Sequence, residues 1–351
     1  APDWARDGVV YQVFPDRFAP WPDGSPPPDV VPAWAQLAAW DDPIATSHGA
    51  AVRQVYGGSL WGVRDHLDHI ADLGATVIWL TPVFPARSSH RYDAASFDRV
   101  DPLLGGDEAL AALTAEAHRR GLRVIGDLTT NHCGDGHDWF RTAQADPVSN
   151  EAGFFTFHEH PDDYECWLGR RSLPKLDHTD AELRRRLTDG PGSVVDRWLR
   201  PPADLDGWRI DVANMTGRQG PVDVNHEAAR TVRRTVDGAR DDAWLIAEHA
   251  HDFTRDLDGT GWHGTMNYAG FTRPVWSWLR DPTVTTSFLG TETALPRRPG
   301  PTVVRTMTAF GAPIPWSAAA ASQHQLGSHD TPRWLTVAGD DDTAIVGLGL
   351  L

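Results

Sequence analysis

Short, mainly apolar runs that close on polar or charged residues recur along this chain, alternating with longer stretches of helical periodicity. Residues 9–14, 76–80, 122–128, 207–212 and Trp244–Ala247 are such runs. Apolar on alternate and successive positions alike, they suit strands covered on both faces. Between them, 60–74 sets Leu67, Ile70 and Leu73 on one helical face and stops at Gly74. The stretch 107–121 does the same with Leu110, Leu113 and Ala117, with Asp107 as its cap and Gly121 as its end. Helices are also predicted at 180–199, at 226–239 and after Phe271, and weaker strands at 264–267 and 324–327. So many β-α units of this size imply a parallel sheet closed as a (β/α)8 TIM barrel. A doubly wound sheet is the alternative, but no glycine-rich phosphate fingerprint follows the first strand.

The rhythm breaks across 131–176, a stretch rich in Gly, His, Asp and Phe, which is predicted to be a small domain inserted after strand three. The expected division is therefore 1–130 as the first part of the barrel, 131–176 as the insert and 177–351 as the second part. Seven strands can be placed. The chain stops at Leu351 within the helix that would precede the eighth, so strand eight and a C-terminal β-domain are expected to lie outside it.

A formal charge of −16 speaks against nucleic acid or an anionic membrane as partner. No apolar run approaches membrane-spanning length and no signal-like segment opens the chain, so a soluble, cytoplasmic protein is expected. Cys133 and Cys166 are too few for a disulfide framework; free thiols or at most one bridge are expected.

Barrel chemistry gathers at the C-terminal ends of strands. There the sequence sets Tyr92 and Asp93 after strand two, Asp127, Asn131 and His132 after strand three, and Arg209 and Asp211 at strand four. Glu248, His249 and His251 follow strand five, Asn267 and Tyr268 strand six, and His329, Asp330 and Arg333 strand seven. Alternation along strand four puts Arg209 and Asp211 on one side of the pleat, where the guanidinium can offset the cost of a buried carboxylate. Three carboxylates, Asp211, Glu248 and Asp330, suit glycosidic cleavage with retention, in which a nucleophile and an acid stand about 5–5.5 Å apart. A metal site is the rival reading. Against it, no close ligand spacing of the His-Glu-x-x-His kind occurs, and Arg209 would compete with a cation.

These segments resemble the ordered conserved regions of the α-amylase family: Asp127-Leu-Thr-Thr-Asn-His132, Gly207-Trp-Arg-Ile-Asp211, Glu248 after an apolar strand, and Ser328-His-Asp-Thr-Pro-Arg333. Tyr11-Gln-Val-Phe-Pro-Asp-Arg-Phe18, Tyr56-Gly-Gly-Ser-Leu60, Leu173-Pro-Lys-Leu-Asp177 and Met266-Asn-Tyr268 resemble its cyclomaltodextrinase, neopullulanase and maltodextrin glucosidase branch. Ala247-Glu-His-Ala-His-Asp252 and Asn267-Tyr-Ala-Gly-Phe-Thr272 are most similar to the maltodextrin glucosidases. The resemblance implies Asp211 as nucleophile, Glu248 as general acid/base and Asp330 as the residue holding sugar hydroxyls. It implies that Arg209 keeps Asp211 ionised, that His132, His329 and Arg333 bind substrate, and that Tyr92 stacks on the sugar ring. Asp127 and Asp93 would act behind these, Asp127 by bracing Arg209. Where cyclomaltodextrinases and neopullulanases carry a glutamate four residues beyond the nucleophile, this chain has Met215, a position on the acceptor side. Asn131 resembles a calcium ligand of many α-amylases, but this branch often lacks the site; no metal is assigned and calcium is left open. The expected substrate is a short maltodextrin cleaved at α-1,4 bonds, with an α-glucan transglycosylase, a cyclomaltodextrinase or neopullulanase, and an inactive carbohydrate-binding barrel as the alternatives.

Overall fold

The computed structural model describes residues 1–288 and 291–351, which form two compact units, Pro2–Leu245 and Ile246–Leu351. In the first unit four strands lie parallel and in chain order: β1 (Val10–Val13), β2 (Val77–Leu80), β3 (Arg123–Thr129) and β4 (Gly207–Asp211). All of β2 and β4 is buried, as expected for runs with no polar face. β5 (Trp244–Ala247) begins where the Trp244 amide donates to the Asp206 carbonyl at 3.0 Å. Gly207 is needed at this point, because a Cβ there would stand 2.0 Å from the Trp244 carbonyl oxygen. This is the parallel β/α architecture of a TIM barrel.

Register decides the chemistry. In the β3–β4 pair Asp127 lies opposite Arg209, and Thr129 opposite Asp211. Paired residues on neighbouring strands share a face, so a carboxylate of β3 meets the guanidinium of β4.

Several local expectations are corrected. The helix expected over 60–74 is two, Leu60–Asp65 and Leu67–Asp72, broken where His66 turns out of helical geometry with Nδ1 2.8 Å from the Gly62 carbonyl. Helix Gly106–Arg119 has no side-chain cap: Asp107 instead accepts the Val100 amide at 2.7 Å. The helix expected over 180–199 is interrupted by Gly190 and Gly192 into Ala181–Leu187 and Val194–Arg197.

Residues 131–176 carry their own helix, Asp138–Ala145, capped by His137, and a small antiparallel pair, Phe157–Glu159 with Asp163–Tyr164. Phe140 packs against Phe155 and Tyr164 with ring centres 5.0 and 4.7 Å apart. The two ends of the segment are joined: His132 bridges to Lys175, the Cys133 amide donates to Pro174 at 3.1 Å, and the Leu176 amide donates to Asn131 at 3.0 Å. Cys133 and Cys166 are both free thiols.

In the second unit the end of β5 pairs in parallel with β6 (Gly264–Thr265). The strand expected over 324–327 is not one. A single parallel bridge joins Met266 to Gln323, with the Gln323 amide on the Thr265 carbonyl at 2.8 Å. β6 is only two residues long, so it offers little edge to extend, and 324–327 is held by side chains instead. Thr272 Oγ1 donates to the Gln325 carbonyl at 2.7 Å and the Trp276 indole to the Leu326 carbonyl at 2.8 Å. Among the described residues no helix is long and apolar enough to cross a membrane.

Candidate active site

At the end of β4 a buried guanidinium joins two carboxylates. Arg209 Nη1 donates to Asp127 Oδ1 at 2.9 Å and Oδ2 at 3.1 Å, and to Asp211 Oδ1 at 2.8 Å. Arg209 has no exposed surface, Asp127 is 2 % exposed and Asp211 6 %. Asp127 Oδ2 also accepts from the Tyr92 hydroxyl at 2.8 Å and the Trp79 indole at 3.1 Å. The guanidinium lies 5.2 Å from the Trp79 ring centre and 5.6 Å from that of Tyr92. Asp127 thus binds the cation and the Tyr92 hydroxyl at once, orienting Tyr92, while Asp211 stands as the last residue of β4.

The backbone beside these groups is unusual. Val212, next to Asp211, and Arg91, next to Tyr92, both have positive φ, 47° and 62°. For a β-branched residue this is a strained conformation, of the kind that concentrates at functional sites. At Val212 the chain turns directly after Asp211, the last residue of β4.

His132 is 1 % exposed and its ring stacks on Trp167 at 5.5 Å. Burial, with the Lys175 and His90 charges acting in the same direction, lowers its pKa to about 3, against the opposing effect of the Tyr92 backbone carbonyl facing the ring. It is therefore a neutral imidazole at any physiological pH. Nδ1 lies 3.1 Å from the Asn131 side-chain amide, and Nε2 has no hydrogen-bond partner among the described residues. Asn131 Oδ1 in turn accepts from the Lys175 ammonium, which also donates to the Met215 carbonyl at 2.9 Å. An oxygen already facing an ammonium does not fit a calcium ion. Among the described residues no group of three or more His, Cys, Asp or Glu could hold a metal. Calcium, left open by the sequence, is therefore not supported at Asn131.

Asp93 is turned to its own loop, where it accepts the Arg87 amide at 3.1 Å and the Ser88 hydroxyl. In the second unit Glu248 is half-buried directly after β5, and its neighbour His249 is fully buried with Nδ1 3.8 Å from Asp256. Asp330 is exposed, with His329 Nε2 3.3 Å from its carboxylate. Its turn is set by Ser328: the Asp330 amide donates to Ser328 Oγ at 3.2 Å, and that oxygen lies 2.7 Å from the Tyr268 hydroxyl. Arg333 is exposed at the start of helix Trp334–Ala338 and makes no ion pair among the described residues.

The sequence matches the family described as alpha amylase, catalytic domain, over residues 12–347. The chain belongs to the α-amylase family. It is 34% identical over 348 residues to a cyclomaltodextrinase of Geobacillus thermopakistaniensis (strain MAS1), covering 97% of this chain and 52% of that protein. It is 31% identical over 346 residues to the intracellular maltogenic amylase of Bacillus subtilis, again covering 97% of this chain and 52% of the other. The chain thus spans about half the length of these curated relatives. Among solved structures it resembles the cyclic α-maltosyl-(1→6)-maltose hydrolase of Arthrobacter globiformis in complex with that cyclic sugar, with TM-score 0.82 and 31% identity over 100% of this chain and 72% of the other.

Two contributors were not assigned roles from the sequence of this family member. Trp79 reads as an ordinary apolar strand residue, and only the register of β2 against β3 turns its indole onto Asp127. Lys175 carried a signal that composition holds but motif matching passes over: it is the only lysine in a chain with 32 lysines and arginines together.

Proposed function

We propose that this chain carries a retaining glycoside hydrolase site that cleaves α-1,4 bonds of short maltodextrins by double displacement. Asp211 is the nucleophile, Glu248 the general acid/base, and Asp330 the residue that holds sugar hydroxyls. Glu248 donates its proton to the leaving glycosidic oxygen as the Asp211 carboxylate attacks the anomeric carbon. The resulting ester is then opened by water, whose proton returns to Glu248, so two inversions give net retention. The observation that carries this reading is the buried Asp127–Arg209–Asp211 array, since a guanidinium 2.8 Å away favours the ionised carboxylate that attack requires. His132, neutral and with no hydrogen-bond partner for Nε2 among the described residues, suits a hydrogen bond to a sugar hydroxyl. Within the same reading residues 131–176 are a separate inserted domain, His329 and Arg333 contact substrate, and the protein acts in the cytoplasm.

The names of the relatives favour a second reading of the substrate: cyclic maltodextrins opened by the same two steps. Met215, in place of an acceptor-side glutamate, keeps transfer to a sugar as a further outcome. The test is a proton NMR time course of the anomeric signals with maltotriose and, separately, with a cyclodextrin. Initial release of α-configured glucose or maltose is expected, and faster turnover of the ring would move the assignment to the cyclic substrate. Longer oligomers appearing first would mean transfer, and binding without reaction would mean a carbohydrate-binding barrel. Asp211→Ala should lower turnover on the order of ten-thousandfold or more while circular dichroism stays unchanged. Substantial remaining activity would sink the assignment.

A further inference from the structure

Lys175 stands apart from every other cation in the chain. The protein uses arginine for all its remaining fixed positive side chains, including the exposed pairs where lysine would serve equally well. Its single lysine is 4 % exposed. Burying an ammonium is costly unless its three N–H donors find acceptors, and a compact tetrahedral head can point them in divergent directions that a planar guanidinium cannot. Lys175 uses two of them on acceptors from different parts of the fold. One goes to Asn131 Oδ1, at the exit of β3; the other goes to the carbonyl of Met215, four residues beyond Asp211.

The bond to Asn131 has a consequence one residue further on. An amide whose oxygen is committed to an ammonium can present only its NH2 to its other neighbour. That neighbour is His132 Nδ1, 3.1 Å from Asn131 Nδ2. An imidazole nitrogen that accepts a hydrogen bond carries no proton, so the neutral ring must hold its proton on Nε2. Nε2–H is then a donor with no partner among the described residues.

We propose that Lys175 is a positioning residue: its ammonium fixes the orientation of the Asn131 amide and, through it, the Nε2–H tautomer of His132, while holding the Met215 carbonyl on its other side. The effect on turnover rests on the hydrolase reading above; the tautomer does not. The class of ligand group served is a sugar hydroxyl oxygen, an acceptor for Nε2–H. Because the clamp also holds Met215, it ties the orientation of that donor to the loop that follows the nucleophile strand.

The experiment is nitrogen-15 NMR of histidine-labelled protein, with the His132 signals assigned from the His132→Gln spectrum, alongside kinetics on maltotriose. In the unaltered chain His132 is expected as a single Nε2–H tautomer. Lys175→Met keeps the stem and removes the donors, so the Asn131 amide is free to turn and the single tautomer is lost. Asn131→Asp is the second variant and covers the case in which Lys175→Met fails to fold. Its carboxylate still accepts from Lys175 but offers no N–H, so the His132 proton is expected to move to Nδ1. In both variants kcat should fall about 10- to 100-fold with KM changed far less. An unaltered chain showing Nδ1–H, or either variant retaining a pure Nε2–H signal, overturns the proposal. If the tautomer changes as described but the unaltered chain does not hydrolyse maltotriose, the clamp stands and the hydrolase reading falls.

Discussion

Two buried ionic clusters are centred three residues apart, one just ahead of β4 and one within it, and they are inversions of one another. Asp206, immediately ahead of β4, is one acid surrounded by bases. It lies 2.7 Å from His118 Nε2 and accepts from Arg123 at 2.8 Å, and it pairs with Arg240 at 2.9 Å and with the Val124 amide at 2.8 Å. Arg209, inside β4, is one base between two acids. Burial pushes the Asp206 carboxyl up, but the bonds from His118, Val124 and Arg123 outweigh it and leave the group below the usual carboxylate range. Both clusters obey the rule that a buried charge must be paired, so pairing alone does not separate structure from function. What separates them is exposure and place on the strand. Asp206 has no exposed surface and its donors come from several elements that close over it. Asp211 keeps 6 % exposure at the end of a strand, the end where parallel β/α proteins collect their chemistry.

The sharpest break of this comparison is Arg209→Met. It leaves Asp127 and Asp211 as two buried carboxylates without their cation, and breaking such a pair costs about 3–5 kcal/mol. Denaturant unfolding should register that loss. Turnover measured at a temperature where the variant remains folded should still fall on the order of a thousandfold, because the carboxylate charge needed for attack is no longer favoured. If activity per folded molecule survives, the array is structural, like that of Asp206.

Asp206→Asn sharpens the comparison from the other side. It leaves His118, Arg123 and Arg240 facing a neutral amide, so a stability loss of a few kcal/mol, about 2–4, is expected. Activity per folded molecule should be unchanged within about twofold, since no part of this cluster reaches the strand's C-terminal end. A large fall in kcat without loss of stability would show that the two ends of β4 are coupled.

The difference also explains what could be read without coordinates. The strands were legible because apolar runs such as Trp244–Ala247 carry their own boundaries, and Arg209 and Asp211 because strand alternation sets them on one side. Asp127 facing Arg209 depends on inter-strand register, which no single segment encodes. The same limit hid Trp79. The expected strand at 324–327 failed for a related reason: its placement came from the rhythm of the chain, whereas its partner β6 pairs over only two residues and side-chain bonds from Thr272 and Trp276 hold the segment. Asp206 carries no signal in the sequence, since one aspartate at a strand entrance looks like any loop acid until His118, Arg123 and Arg240 arrive from distant parts of the chain. Lys175 lies within a motif, but its being the only lysine of the sequence is the stronger clue.

The smallest expected effect concerns His118, the one member of the Asp206 cluster that titrates near neutral pH. The hydrogen bond to Asp206 raises its pKa, against burial, with the charges of Asp206 and Asp204 adding to the rise. A histidine whose folded pKa lies above its unfolded value of about 6.5 binds more protons folded than unfolded in the window between the two. Its contribution is therefore complete below pH 6.5 and is lost as pH rises through the folded value. His118 is partly exposed, at 24% of its side chain, so solvent screening keeps the effect modest, about 1 kcal/mol or less. His118→Gln, which keeps a donor for Asp206 but cannot titrate, should be less stable than the unaltered chain at pH 6 and close to it at pH 9, as read from urea midpoints. Since Asp206 keeps Arg123 and Arg240 in either protein, the variant should leave maltotriose turnover unchanged across that range. A stability difference that grows with pH would mean that His118 is neutral in the fold and that the acid is saturated by the arginines alone.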